Sequence, residues 1–309
     1  MSPEIDITIV CPCFNEQSVL DLFFEKIQSV LNQTGKSYEI IFINDGSTDQ
    51  TLQKLLDLKS NRTNIRILNF SRNFGKEAAL SAGLAYSAGN VVIPIDADMQ
   101  DPPELILELL KKRSEGFDVV LAKRIDRSSD SFMKQFSARL FYKFHNMISD
   151  ITIPNNVGDF RLMSKRVVHT LNQFPENQRF MKGLFAWAGY KTGVVEYKRA
   201  PRASGTPSFN GWKLWNLALD GFTNFSTVPL RIWLYCGIII SSFSFLYGVF
   251  TIVKTLVYGI DLPGYASLLT IILFSSGIQL IGIGILGEYI GRVFNESKRR
   301  PTYIIEKEY

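Results

Sequence analysis

The stretch VVIPIDADMQDPPELI, from Val91 to Ile106, decides the fold. An apolar run, Val91 to Ile95, passes directly into Asp96, Asp98, Gln100 and Asp101, and then into Pro102 and Pro103. The apolar half reads as a buried strand and the acidic half as its tip. Like charges this close in sequence repel, so a positive group belongs among them. Alternate residues of a strand-to-loop turn point the same way, which lets Asp96, Asp98 and Gln100 converge. Carboxylate and amide oxygens suit Mg2+ or Mn2+, and such an ion with few protein ligands usually also holds substrate phosphates. A lone D-x-D triplet equally fits a solvated acidic turn, and Asp101 fits a helix N-cap.

Working outward, the same pattern recurs. IDITIVCPCF (Ile5–Phe14), YEIIFIND (Tyr38–Asp45), NIRILNFS (Asn64–Ser71), NVVIPID (Asn90–Asp96) and FDVVLAK (Phe117–Lys123) read as strands. Helical patterns lie between them, at about Val19–Leu31 and Lys76–Ser87, with Ser47 or Thr48 capping one helix and Pro102 opening another. Continuous apolar strands alternating with helices predict a parallel sheet covered on both faces. Ligands bind such sheets at the carboxyl ends of the strands. Four of those ends carry Asn15-Glu16, Asp45-Gly46, Ser71-Arg72-Asn73 and Asp96-Ala97-Asp98, which predicts one site built from four loops. No G-x-G-x-x-G or P-loop follows a strand, which argues against a dinucleotide or P-loop binder. Cys11, Cys13 and Cys236 are too few and too poorly spaced for a disulfide framework or a zinc knuckle.

The 309 residues are 46% hydrophobic and 20% charged, as a folded chain requires, but the charges are unevenly spread. Between Arg231 and Lys254, and again between Asp261 and Glu288, the sequence carries none. Each gap is long enough for a helix to cross the bilayer, at about 20 residues per hydrocarbon core. The expected spans are 232–253 and 264–287, a hairpin within 227–290. Gly277, Gly282, Gly284 and Gly287 suit close helix packing in lipid and permit a homo-oligomer. Trp212, Trp215, Leu219 and Phe222 predict an amphipathic interface helix over 210–226. Arg231, Arg292, Lys298, Arg299 and Arg300 flank the spans on one side and Lys254 lies on the other, which places the domain of residues 1–209 and the basic tail 291–309 in the cytoplasm. No signal peptide precedes Ile5. The net charge of +5 lies largely near the membrane and favours an anionic lipid surface over nucleic acid.

Taken together and in order, CPCFNE, NDGSTDQT, SRNFGKEAAL and DADMQDPPE resemble the family 2 glycosyltransferases of GT-A fold. With GDFRL (Gly158–Leu162) and the two spans, the chain is most similar to the polyprenyl-phosphate sugar synthases. That group includes dolichyl-phosphate mannose synthase and the bacterial undecaprenyl-phosphate glucose and aminoarabinose transferases. The resemblance implies that Pro12, Asn15, Glu16, Asp45, Lys76 and Asp96 bind the nucleotide-sugar, with Asp45 on the base. It puts Asp98 and Gln100 on the metal, and Asp159 and Arg161 beside the sugar and attacking phosphate. In RASGTPSF (Arg202–Phe209), Arg202, Gly205 and Phe209 fit the family's basic loop, whereas Pro207 and Ser208 depart from its usual Ser-Lys pair, leaving Arg202 for the pyrophosphate. Lys123, Arg124 and Arg139 are candidates for the acceptor phosphate, since arginine matches phosphate oxygens with a two-pronged donor. For Asp159 a structural ion pair is the competing reading.

The implied reaction is inverting transfer of a hexose, first of all glucose from UDP-glucose, to a polyprenyl phosphate such as undecaprenyl phosphate. GDP-mannose and UDP-aminoarabinose are the alternative donors. A phosphate acceptor is largely dianionic at neutral pH, with a second pKa of about 6, and attacks without a strong base. Asp159 is therefore expected to orient groups and not to abstract a proton. A polysaccharide synthase is a rival, but NQRFMKG (Asn177–Gly183) lacks its Q-x-x-R-W. A membrane scaffold is a second rival, disfavoured by the acidic constellation.

Overall fold

A computed structural model describes residues 4–125, 154, 156–177, 179–198, 226–259 and 264–309. The expected strands form as β1 (Ile7–Cys13), β2 (Tyr38–Asn44), β3 (Ile65–Phe70), β4 (Val91–Pro94) and β5 (Val119–Arg124). Between them run α1 (Leu20–Gln33), α2 (Thr51–Lys59), α3 (Lys76–Tyr86) and α4 (Leu105–Ser114). There follow β6 (Val157–Ser164), α5 (Lys165–Asn172), α6 (Met181–Trp187), β7 (Thr192–Tyr197), α7 (Val228–Tyr258), α8 (Tyr265–Ser297) and β8 (Ile305–Glu308).

The eight strands make one sheet in the order β7-β5-β6-β4-β1-β2-β3-β8. β3, β2, β1 and β4 are mutually parallel. Their central positions are fully buried, as the continuous apolar runs require. Helices cover both faces. Leu20, Phe23, Ile27, Leu55, Ile106 and Leu109 pack on one side. Ala79, Leu80, Val167, Leu171 and Leu184 pack on the other.

The sheet is nevertheless mixed, which corrects the all-parallel expectation. β6 slots between β4 and β5 and is antiparallel to both. Its direction matters for the site: an antiparallel strand brings its beginning, not its end, to the edge where β1, β2, β3 and β4 finish. GDFRL therefore arrives at that edge with Asp159. Antiparallel β8 extends the sheet beside β3, with Ile67 and Tyr309 exchanging backbone hydrogen bonds and Tyr303 stacked on Phe70. The segment 291–309 is thus not a free tail: α8 continues to Ser297 and the chain then returns to the sheet.

Two helix caps also differ from expectation. Ser47 does not cap α2; its Oγ accepts from Asn15 N at 3.0 Å, and Thr51 N is met by Asp49 Oδ1 at 2.9 Å. Pro102 does not open α4, which begins at Leu105, and buried Asp101 accepts from the Tyr197 hydroxyl.

α7 and α8 exceed the expected spans, at 31 and 33 residues. They are about 46 and 50 Å long at 1.5 Å per residue, well beyond the ~30 Å hydrocarbon core. Phe243, Phe245, Leu246, Phe274 and Leu280 face outward, as lipid requires. Of the four glycines expected at the packing face only Gly282 meets the other helix: a Cβ there would fall 2.2 Å from Trp233 Nε1, whereas Gly277, Gly284 and Gly287 have nothing within 4 Å. The predicted interface helix, 210–226, lies almost entirely outside the described residues.

Candidate active site

The site lies where the strand order reverses, at the carboxyl ends of β1 and β4. Its centre is Lys76, the first residue of α3. The Lys76 ammonium donates to Asp96 Oδ2 at 2.8 Å and reaches Asp159 Oδ2 at 2.7 Å. This is the positive group that the acidic strand tip demanded. It comes from the start of α3 and joins the end of β4 to the start of β6. Burial alone would lower the Lys76 pKa, but Asp159 and Asp96 outweigh it and raise it. Burial would likewise raise the Asp159 pKa; the charges of Lys76, Lys182 and Arg161 reverse this and hold it far below the usual carboxylate range. Asp159 Oδ1 is buried and has no hydrogen-bond partner among the described residues.

Arg161 lies two residues further along β6. Its guanidinium stacks over Phe185 at 3.9 Å and donates to the Gly158 carbonyl at 2.6 Å. Glu77 follows Lys76 and its Oε2 accepts from Met181 N at 3.1 Å, tying α3 to α6. Burial first, and Asp159 second, push the Glu77 carboxyl up to about 7. Neither Glu77 nor Lys182 was singled out from sequence, although SRNFGKEAAL and NQRFMKG contain them.

The two neighbouring loops are locked together. Asn15 adopts φ 57° after β1, and its Oδ1 accepts from Thr48 N at 2.9 Å. Glu16 N donates to Thr51 Oγ1 at 2.9 Å. Pro12 sits half-buried in β1 opposite Ile43. Gly46 has φ +65°, and a Cβ there would fall 2.4 Å from the backbone carbon of Arg72. Only glycine allows the loops after β2 and β3 to touch. Asp45 is buried, and its two oxygens accept from Phe74 N at 2.7 Å and Gly75 N at 2.9 Å. Burial raises its pKa against the pull of those amides. In this geometry Asp45 holds the start of α3, and so the base of Lys76.

Asp98 and Gln100 are half-buried beyond β4, with Asp98 Oδ1 accepting from Gln100 N at 3.1 Å and Met99 between them at φ 60°. Among the described residues no three His, Cys, Asp or Glu side chains converge on a metal position. The pair offers only oxygen, which fits a hard cation that draws most of its shell from phosphate and water. Lys123 and Arg124 close β5, which runs parallel to β4 and so ends at the same edge. Lys123 pairs there with Glu196 at 2.9 Å. Arg139 and Arg202 lie outside the described residues.

A mixed α/β sheet with a basic-acidic clasp at its switch point is followed by two apolar helices long enough to cross a membrane. Residues 8–171 match the glycosyl transferase family 2 model, and residues 228–293 match the GtrB C-terminal hairpin. The chain belongs to glycosyl transferase family 2. It is 52% identical to an uncharacterized glycosyltransferase of Synechocystis sp., over 97% of this chain and 95% of the relative. It is also 52% identical to the bactoprenol glucosyl transferase of Shigella phage SfV, over 98% of both chains. The prophage bactoprenol glucosyl transferase homolog of Escherichia coli K12 is 50% identical over 97% of this chain and 98% of its own. The chain is an enzyme with a two-span hairpin, and the scaffold reading falls.

Proposed function

We propose that this enzyme transfers glucose, with inversion, from UDP-glucose to a polyprenyl phosphate of the undecaprenyl kind at the cytoplasmic membrane face. The observation that carries the reading is the Lys76 clasp on Asp96 and Asp159 at the strand-tip edge. Its support from comparison is the near-full-length similarity to bactoprenol glucosyl transferases.

The chemistry follows from charge. The donor carries a diphosphate and the acceptor a phosphate, so the site must bring two anions together. Lys76 neutralises the carboxylates that would otherwise repel them. Asp159 is held ionised by its cations, with a proton affinity too low for a general base at neutral pH. It orients the sugar, and the acceptor phosphate attacks C1 directly, breaking the bond to the diphosphate. Pro12, Asn15, Glu16 and Asp45 frame the nucleotide pocket, and Asp96 faces the sugar. Arg161, Lys123 and Arg124, with Arg139 and Arg202 by sequence, supply cations for the phosphates. Asp98 and Gln100 would hold Mg2+ or Mn2+, which when bound neutralises the departing diphosphate.

The two spans keep the polyprenyl tail in the bilayer, since extracting it costs about 0.8 kcal/mol per CH2. Arg231, Arg292, Lys298, Arg299 and Arg300, on one side of the spans, support a cytoplasmic location for the catalytic unit and both termini.

The test is incubation of the purified protein with undecaprenyl phosphate, Mg2+ or Mn2+, and UDP-glucose, GDP-mannose or UDP-aminoarabinose in parallel, with mass spectrometry of the lipid product. Glucosyl lipid from UDP-glucose alone, lost in Asp98→Ala, is expected. Product from another donor only would reassign the sugar. Retention of the donor's anomeric configuration would overturn single displacement.

A further inference from the structure

Strand β8 is connected to the loops of the site by a chain of hydrogen bonds. Glu306 Oε2 accepts from Asn69 Nδ2 at 2.9 Å. Asn69 Oδ1 accepts from Asn44 Nδ2 at 2.7 Å, and both asparagines are buried. Asn44 Oδ1 accepts from Ser47 N at 3.4 Å. Ser47 Oγ then accepts from Asn15 N at 3.0 Å, while Asn15 Oδ1 accepts from Thr48 N. The path runs from the last strand, across β3 and β2, to the paired loops after β1 and β2.

The polarity of this path is set at its outer end. An ionised carboxylate only accepts, so Glu306 requires the NH2 face of Asn69. That leaves the Asn69 oxygen for Asn44, which must then turn its own NH2 inward and its oxygen toward Ser47. Without Glu306, the Asn69 amide is free to present either face, and a flipped Asn69 would set two NH2 groups against each other. If Asn44 turns over to relieve that contact, its NH2 group faces the Ser47 amide, which loses its acceptor.

We propose that Glu306 is a positioning residue for donor binding: through Asn69 and Asn44 it fixes the Asn15–Glu16 and Asn44–Ser47 loops in the conformation that receives the nucleotide. The proposal rests on the reading of those loops as the donor pocket. It makes the strand that follows the membrane hairpin a part of the active-site scaffold.

The experiment uses the full chain reconstituted with undecaprenyl phosphate. Glu306→Ala is expected to raise KM for UDP-glucose about fivefold, as for one lost hydrogen bond, with kcat and acceptor KM within about twofold of wild type. Glu306→Gln, which keeps an acceptor oxygen, should restore most of the affinity. Glu308→Ala removes the Arg66 ion pair from the same strand but leaves the chain of amides intact, and should leave donor KM unchanged. Amide hydrogen exchange supplies a readout independent of turnover: residues 15–17 and 45–51 should exchange faster in Glu306→Ala and not in Glu308→Ala. Equal shifts in both variants would assign the effect to strand docking and overturn the relay. So would a fall in kcat at constant KM, or unchanged exchange in Glu306→Ala. Absence of turnover by the wild type would instead overturn the proposed reaction, and exchange would judge the relay by itself.

Discussion

The two edges of the sheet each bury carboxylate against a cation, with different results. At the end where β1, β2 and β3 begin, Glu39 is 3% exposed and fully engaged. Its Oε1 accepts from Thr8 Oγ1 at 2.6 Å and Ala88 N at 2.8 Å, and its Oε2 faces Arg66 at 3.4 Å. At the opposite edge Lys76 holds Asp96 and Asp159, yet Asp159 Oδ1 has no hydrogen-bond partner among the described residues and Glu77 carries a raised pKa beside it. A closed network of this kind fixes the fold. An open one leaves a buried carboxylate oxygen without a hydrogen bond among the described residues, which is where the proposed donor site lies.

Breaking the open cluster should have the largest effect. Lys76→Met leaves Asp96 and Asp159 uncompensated at one point, and the rate of lipid-linked glucose formation should fall by about 10²-fold or more. Survival of substantial activity would remove Lys76 from the centre of the site. Breaking the closed cluster should act on stability instead. In Glu39→Ala the Thr8 hydroxyl and the Ala88 amide lose their acceptor, at a cost of about 2 kcal/mol. A Tm lowered by about 5 °C, with both KM values unchanged, is the expected result. A selective change in KM would contradict the division drawn between the two edges.

Glu77 sharpens the contrast through pH. Its folded pKa of about 7 stands above its ordinary 4.5, so the folded state holds a proton that the unfolded state has already lost between those values. The stability associated with that proton is complete below about 4.5 and is lost as pH rises through 7. Thermal melts of Glu77→Gln should therefore show a flatter decline than wild type between pH 5 and pH 8, roughly one proton's worth of slope removed. Asp159 has the opposite sign: its depressed pKa contributes stability that disappears only in acid. The smallest effect belongs to Glu308→Ala, whose partly exposed pair with Arg66 should be worth less than about 1 kcal/mol in melting experiments.

Much of this architecture was legible in the chain itself. Runs such as YEIIFIND and NVVIPID have the unbroken apolar character of strands buried on both faces, and their polar ends mark the site edge directly. β6 was less legible. GDFRLMS mixes charge with apolar residues and followed the point where alternation ceased, so nothing local announced a strand, still less its antiparallel direction. β8 was hidden by the opposite property: Glu306, Lys307 and Glu308 make it look like a solvated tail, although charge is how an edge strand avoids further pairing. The need for a cation near Asp96 could be read from the sequence. That Lys76 meets it, and shares itself with Asp159, depends on the insertion of β6 beside β4 and has no signature in spacing. Asp101 resembled a cap because its partner Tyr197 lies 96 positions away.

The position of β8 also bears on how the protein is made. Arg66 and its partner Glu308 are 242 positions apart, and both helices of the hairpin lie between them. On the ribosome, β3 emerges long before the strand that covers its edge, and that strand follows the second apolar helix. The catalytic sheet can be completed only after the hairpin has been synthesised and has turned back to the side from which it entered. A molecule in which just one helix crosses would strand β8 on the far side of the bilayer and leave the β3 edge open to foreign pairing. Pairing of β8 with β3 thus requires that both helices cross or that neither does.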